Sequence, residues 1–512
     1  MHRYRFVAVA LTLACTVLAR PAAEQAPQSD IFAFLRTIDD EGASERAWPG
    51  FRLSDWPLAV FDGTRTLLVR HPAPPSEFKP LDGHPGVLAA PGRHPAIVAG
   101  STVDLAGTRT ASIFITPGSL NALAVAEELF HVLWWQRHKN FRPNEMARYA
   151  YPMKDVHNRQ RMLAEHEALA RALDAPDAAQ ALSWAATALQ VRQERETRLT
   201  PDDRAFETAM EMMEGIANAV ARTIAGMTPS DTAQRLRQQG ERAAEELRWR
   251  YYDSGAAICL LLDRLTGGAR PPGAPAQDAR AKAPLPARNW KSRIDAEPET
   301  TAALLAEVVT RAAARPATFT AEELAGFERR AAAAIADLSA RQAKVRDDLQ
   351  SRAGVRVVVE IAPGHDPLRV TRFDPLALFV LDGGEVVHPR YLTLSGPDGT
   401  IDVTNPDYSR GSFGGVVCLT RAAGRHPLAD GVRTLTLVGL KKPRVESGRD
   451  GVTVESEGVR ITLKGATLER DADAILITLG AVPSAATSPA GSSGRARHCR
   501  SDSMGRSGSM YR

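Results

Sequence analysis

Hydrophobic periodicity changes twice along the chain. Residues 24–118 carry short apolar runs at 66–69, 96–98 and 112–116 between Pro- and Gly-rich turns, which predicts strands and loops. From 119 to 265 the apolar positions recur at intervals of three and four, which predicts helices. The helical segments are 119–138, 158–173, 178–197, 203–227 and 232–265, with Pro143, Pro152, Pro176, Pro201 and Pro229 falling between them. Ser119 follows Pro117-Gly118 and is placed to cap the first. Residues 266–299 open with a Gly-, Pro- and Ala-rich stretch and predict a linker. A helical connector is predicted over 300–350, with Thr320 and Glu323 in capping-box spacing. From 351 to 480 the period drops to two, interrupted at Gly383-Gly384, Asp398-Gly399 and Glu457-Gly458. That pattern predicts an antiparallel, sandwich-like β domain. Residues 481–512 are rich in Ser, Gly, Ala and Arg and predict a disordered tail. The fold class expected is α+β and multidomain, with a mostly helical domain ahead of the β domain.

The first residues change the picture of where the protein works. Arg3 and Arg5 precede an apolar run at 6–19, and small residues follow at Ala19, Ala22 and Ala23. This is the layout of a secretory signal peptide over 1–23, too short to span a bilayer. The expected location is therefore secreted or periplasmic. A lipoprotein signal at Cys15 is the second reading, since Thr12 stands where such signals carry Leu; peripheral membrane contact follows only from that lipidation. Past the leader, Cys259, Cys418 and Cys499 are too few and too far apart for a disulfide framework. A net charge of +4 with scattered basic residues gives no reason to expect nucleic acid as a partner.

The candidate chemistry lies on two helices. Residues 120–135 are apolar almost all round, which predicts burial, yet Glu127, Glu128 and His131 sit in their midst. Glu127 and His131, four apart, share a face. Downstream, Glu207, Glu211 and Glu214 recur at i, i+4 and i+7 as one acidic stripe with no Lys or Arg between 207 and 220. Buried carboxylates need a positive partner, and a divalent cation shared between the two helices would supply it. His138, His157 and His166 read as isolated packing or surface residues. His166-Glu167 opens H-E-A-L-A, in which Ala170 occupies the second ligand position.

The E-E-L-F-H at 127–131, followed by Glu214 in E-M-M-E-G-I-A-N-A-V-A, resembles the H-E-x-x-H plus downstream Glu of secreted bacterial gluzincin-like zinc metallopeptidases. The segments around 157–173, 189–196 and 251–265 add to the resemblance, which covers roughly residues 110–265. It implies a zincin-like fold and a zinc-dependent peptidase acting on peptides or proteins. Glu128 matches the general base, His131 the second ligand and Glu214 the third. Tyr252, or its neighbour Tyr251, matches an oxyanion donor, and Glu211 or Glu207 would orient His131. Glu127 departs from the pattern by standing where the first ligand is His. A carboxylate can ligate zinc, but a second one weakens activation of bound water and favours harder ions such as manganese, magnesium or calcium. The alternative expectation is therefore a catalytically inactive pseudo-peptidase serving as an extracytoplasmic binding module; a third is a structural envelope protein that binds through its β domain.

Overall fold

The computed structural model describes residues 41–97, 100–114, 122–239, 247–267, 290–296, 299–374, 378–405, 415–471 and 473–480. The leader with Cys15, the cap at Ser119, most of the linker, and the tail with Cys499 lie outside the described residues. The chain is α+β and divides into two units. The first holds residues up to 351 together with 379–385 and 424–429, and the second holds 352–378, 386–423 and the residues from 430 on.

The described residues of the first unit begin with helix α1 (Glu41–Ala47) and strands β1 (Leu58–Phe61), β2 (Arg65–Val69), β3 (Lys79–Pro80), β4 (Val87–Pro91), β5 (Ser101–Leu105) and β6 (Thr108–Phe114). They form one sheet in the order β3-β4-β2-β1-β6-β5, with β1 and β6 parallel. Alternate residues face opposite ways along a strand. Leu58, Val60, Leu67 and Val69 enter the main helical core, whereas Ala59 and Leu68 enter a smaller core with Phe78 and Ile97. Both faces are thus covered, which explains why β1 reads as a continuous apolar run. The run at 96–98, expected as a strand, begins instead in a turn at Ala96, and Ile97 plugs the smaller core; Val98 lies outside the described residues.

The helices follow as α2 (Ala122–Arg137), α3 (Val156–Asp174), α4 (Ala178–Glu196), α5 (Pro201–Met210), a π-helical turn (Glu211–Gly215), α6 (Ile216–Ile224), α7 (Pro229–Gln239) and α8 (Leu247–Thr266). Pro201 and Pro229 occupy first helical positions, where a missing N–H costs nothing. The segment at 203–227, expected as one helix, is interrupted by the π-turn, and the described residues of that at 232–265, namely 232–239 and 247–265, are helical as expected. The expected linker contains α9 (Trp290–Ala296), whose Trp290 and Ile294 are in the main core. The expected connector, α10 (Thr301–Arg311) and α11 (Ala321–Ser351), belongs to the first unit, since Leu304 and Leu305 of α10 fill the same core. Thr320 and Glu323 form the expected reciprocal cap, Thr320 N–H to Glu323 Oε2 at 2.7 Å and Glu323 N–H to Thr320 Oγ1 at 3.2 Å.

The second unit is a two-sheet sandwich. The remaining strands in chain order are β7 (Val355–Ile361), β8 (Arg369–Phe373), β9 (Phe379–Val380, in the first unit), β10 (Glu385–His388), β11 (Tyr391–Gly396), β12 (Gly399–Thr404), β13 (Val417–Ala422), β14 (Val432–Leu440), β15 (Arg444–Gly448), β16 (Gly451–Ser456), β17 (Val459–Lys464), β18 (Ala466–Arg470) and β19 (Ala474–Leu479); β7, β13, β14, β18 and β19 belong to one sheet, and β8, β11, β12, β15, β16 and β17 to the other. Val357 and Leu437 of the first pack with Leu394, Ile401 and Ile461 of the second in one core. The sheets are not wholly antiparallel as expected: β19 runs parallel to β7, and the chain between them passes through the other sheet before it returns. Cys259 and Cys418 are buried free thiols. No helix of the described residues is long and apolar enough to cross a membrane.

Candidate metal centre

Helix α2 is buried because both its sides find apolar partners. Phe130 packs edge-on against Trp48 and Phe51, with ring centroids 5.3 Å apart in each case. Its carboxylate-bearing face meets the π-turn and α6. There Glu127, His131 and Glu214 come together, one ligand atom from each lying within 4.8 Å of the others. His131 Nε2 stands 3.3 Å from Glu214 Oε2. Two ligand atoms each about 2.0–2.2 Å from one tetrahedral cation would be about 3.4 Å apart, so this spacing suits a shared ion. Glu214 Oε2 and His131 Nδ1 are buried and have no hydrogen bond among the described residues. An imidazole and two carboxylates, Glu127, His131 and Glu214, form a set that can hold a metal ion.

Charge around the three residues is lopsided. Burial lifts the Glu128 carboxyl to about 7, helped by the charges of Glu127 and Glu214 and opposed by His131 and Arg248. Glu127 is raised for the same leading reason. Burial would push His131 down, but its bond to Glu214 and the surrounding carboxylates carry it up to about 9. Burial would likewise lift Glu214, but His131 and Arg248 hold it down to about 2.

Several contacts at the site were not anticipated from the sequence. Arg248 of α8 donates to Glu214 Oε1 at 2.5 Å and lies 3.4 Å from Glu145 Oε2. Asn218 Nδ2 donates to Glu127 Oε2 at 3.2 Å. Asn218 was legible in principle, being one turn beyond Glu214. Arg248 was not, because nothing local places α8 beside the π-turn. Gly100, just ahead of β5, runs past Glu128: a Cβ there would be 3.6 Å from Glu128 Oε1.

In comparisons with known proteins, no family model, no curated protein and no solved structure matched this chain. The site is therefore read from its own geometry.

That geometry separates residues the sequence had grouped together. Tyr252 lies beside Glu214, with the Arg248 guanidinium 5.8 Å from its ring centroid. Tyr251 is fully buried and donates to Glu207 Oε1 at 3.3 Å, away from His131. Glu207 and Glu211, expected to orient His131, hydrogen-bond to arginines instead. Glu207 accepts from Arg195 at 2.6 and 2.7 Å and from Arg250 at 3.3 Å. Glu211 accepts from Arg192 at 2.7 and 2.8 Å and from Ser254 Oγ at 2.5 Å. Glu165 of α3 completes the network through Arg192 and Arg250. The positive partners missing between 207 and 220 thus come from α4 and α8. His138 and His166 are buried, and burial pushes His166 down to about 3.

Proposed function

We propose that the first unit is a zincin-like, metal-dependent peptidase of the gluzincin type, exported from the cell and acting on peptides or proteins. The observation that carries this reading is the convergence of Glu127, His131 and Glu214 from two helices, with Glu128 beside them. These three residues would hold the ion, for which zinc is the first candidate and a harder divalent cation the second. When bound, the ion supplies Lewis acidity toward a carbonyl and toward water.

The remaining work falls to side chains of this chain. Glu128, buried beside the three ligand residues, is placed to take a proton from water and release it to a leaving amine. Asn218 fixes one oxygen of Glu127, and Arg248 fixes Glu214 Oε1 while leaving Oε2 for the ion. Tyr252, beside Glu214, is within the cluster to donate toward a developing oxyanion. Among the described residues strand β5 is last in its sheet order, and it begins beside Glu128, so an extended substrate added along it would be carried to that carboxyl.

One observation favours a second reading. The Arg248 guanidinium already neutralises Glu214, and Glu127 adds a negative charge where gluzincins have a neutral His. A pseudo-peptidase that keeps the scaffold for binding would look the same. Assay of the purified mature protein on a mixed peptide library, beside Glu128→Gln, separates the two. Cleavage lost in the variant supports the peptidase; no cleavage by a metal-loaded wild type supports the binding module.

A further inference from the structure

The acidic stripe of α5 and its continuation serve two masters, and the π-turn divides them. In a regular helix Glu207, Glu211 and Glu214 would share one face. A π-turn adds a residue to the turn and so rotates the residues after it by up to about 100° relative to those before it. Glu207 and Glu211 accordingly face the arginines of α4 and α8, while Glu214 faces His131 on α2.

Two features hold this irregular turn in place. Glu211, its first residue, is gripped at both oxygens: Oε2 by Arg192 Nη1 at 2.7 Å, and Oε1 by Arg192 Nη2 at 2.8 Å and Ser254 Oγ at 2.5 Å. Gly215, its last residue, meets Gly255 backbone to backbone, and a Cβ on Gly215 would stand 2.5 Å from Gly255 Cα. Ser254 and Gly255 hold the turn against α8, and Arg192 ties it to α4. A side chain at either glycine would push the helices apart, and loss of the Glu211 grip would free the turn to relax into an ordinary helix.

We infer that Glu211, clamped by Arg192 and Ser254, is a positioning residue: it holds the π-turn that swings Glu214 onto His131. This rests on the proposed metal site for its purpose, though not for its geometry. Glu207 provides an internal control. It lies on the same helix, in the same buried network and with the same kind of partners, but ahead of the turn.

The test compares full-length Glu211→Gln, Ser254→Ala and Glu207→Gln by crystal structure and by zinc affinity against a chelator. Glu211→Gln and Glu207→Gln should both lower the melting temperature. Glu211→Gln should separate His131 Nε2 from Glu214 Oε2 and weaken zinc binding about 10- to 100-fold, with Ser254→Ala a smaller step the same way. Glu207→Gln should leave both the separation and the affinity as in wild type. An unchanged separation in Glu211→Gln, or an equal disturbance in Glu207→Gln, would overturn the inference. If the separation opens in Glu211→Gln alone while wild type takes up no zinc, the clamp stands and the metal reading falls.

Discussion

Two clusters of carboxylates lie on either side of one helical turn, and they are satisfied to different degrees. In the inner cluster Glu165, Glu207 and Glu211 face Arg192, Arg195 and Arg250, carboxylate for guanidinium, and every one of those carboxylates is hydrogen-bonded. In the outer cluster three carboxylates, Glu127, Glu128 and Glu214, face one imidazole, His131, and one guanidinium, Arg248, and Glu214 Oε2 meets only the His131 ring, at 3.3 Å. A matched, fully bonded set rigidifies a core. An unmatched set persists where something outside the chain completes it. The same residue type, seven positions apart, is structural on one side and available for chemistry on the other.

The sharpest way to break this contrast is to remove one member from each cluster. Arg195→Ala leaves Glu207 buried without its main partner and should cost about 3–5 kcal/mol in urea unfolding. His131→Ala should cost far less stability and should abolish metal binding. Equal losses of stability would erase the distinction. Next, Glu128→Gln should retain the ion and lower peptide cleavage by about 10²- to 10⁴-fold.

Acid should weaken the inner cluster at low pH. Burial would raise Glu207, but Arg195 and Arg250 hold it down to about 2. A carboxyl depressed in the folded state contributes stability that is fully present above its unfolded value near 4.5. That contribution is lost as pH falls from there toward 2. Melting temperature should therefore drop across this window, and the drop should be shallower in Arg195→Ala. A smaller effect is expected at the crossing of the π-turn with α8: Gly255→Ala, whose Cβ would lie 2.7 Å from Gly215 Cα, should destabilise by about 1–3 kcal/mol. Least of all, Asn218→Ala should weaken metal binding by about tenfold through loss of its bond to Glu127.

Much of the architecture was legible because it is written in periodicity and caps. The change from period 3.6 to period two falls where the second unit begins, and the turns at Asp398-Gly399 and Glu457-Gly458 join β11 to β12 and β16 to β17. The neighbourhood of Glu127, His131 and Glu214 was legible only through a resemblance, since no local rule brings residue 214 to residue 131. What the sequence hid is tertiary. The run E-M-M-E-G carries no mark of a π-turn, so the stripe looked continuous. Arg192, Arg195 and Arg250 stand on other helices, so Glu207 and Glu211 look unpaired in the sequence and read as residues that orient His131.

The most direct measurement is elemental analysis of the purified mature protein beside His131→Ala and Glu214→Ala. Near-stoichiometric zinc, or one other divalent ion, in the wild type and its loss from both variants is the predicted result. No metal in any of the three, with all folded, would contradict the account and leave the outer cluster to be explained by Arg248 and His131 alone.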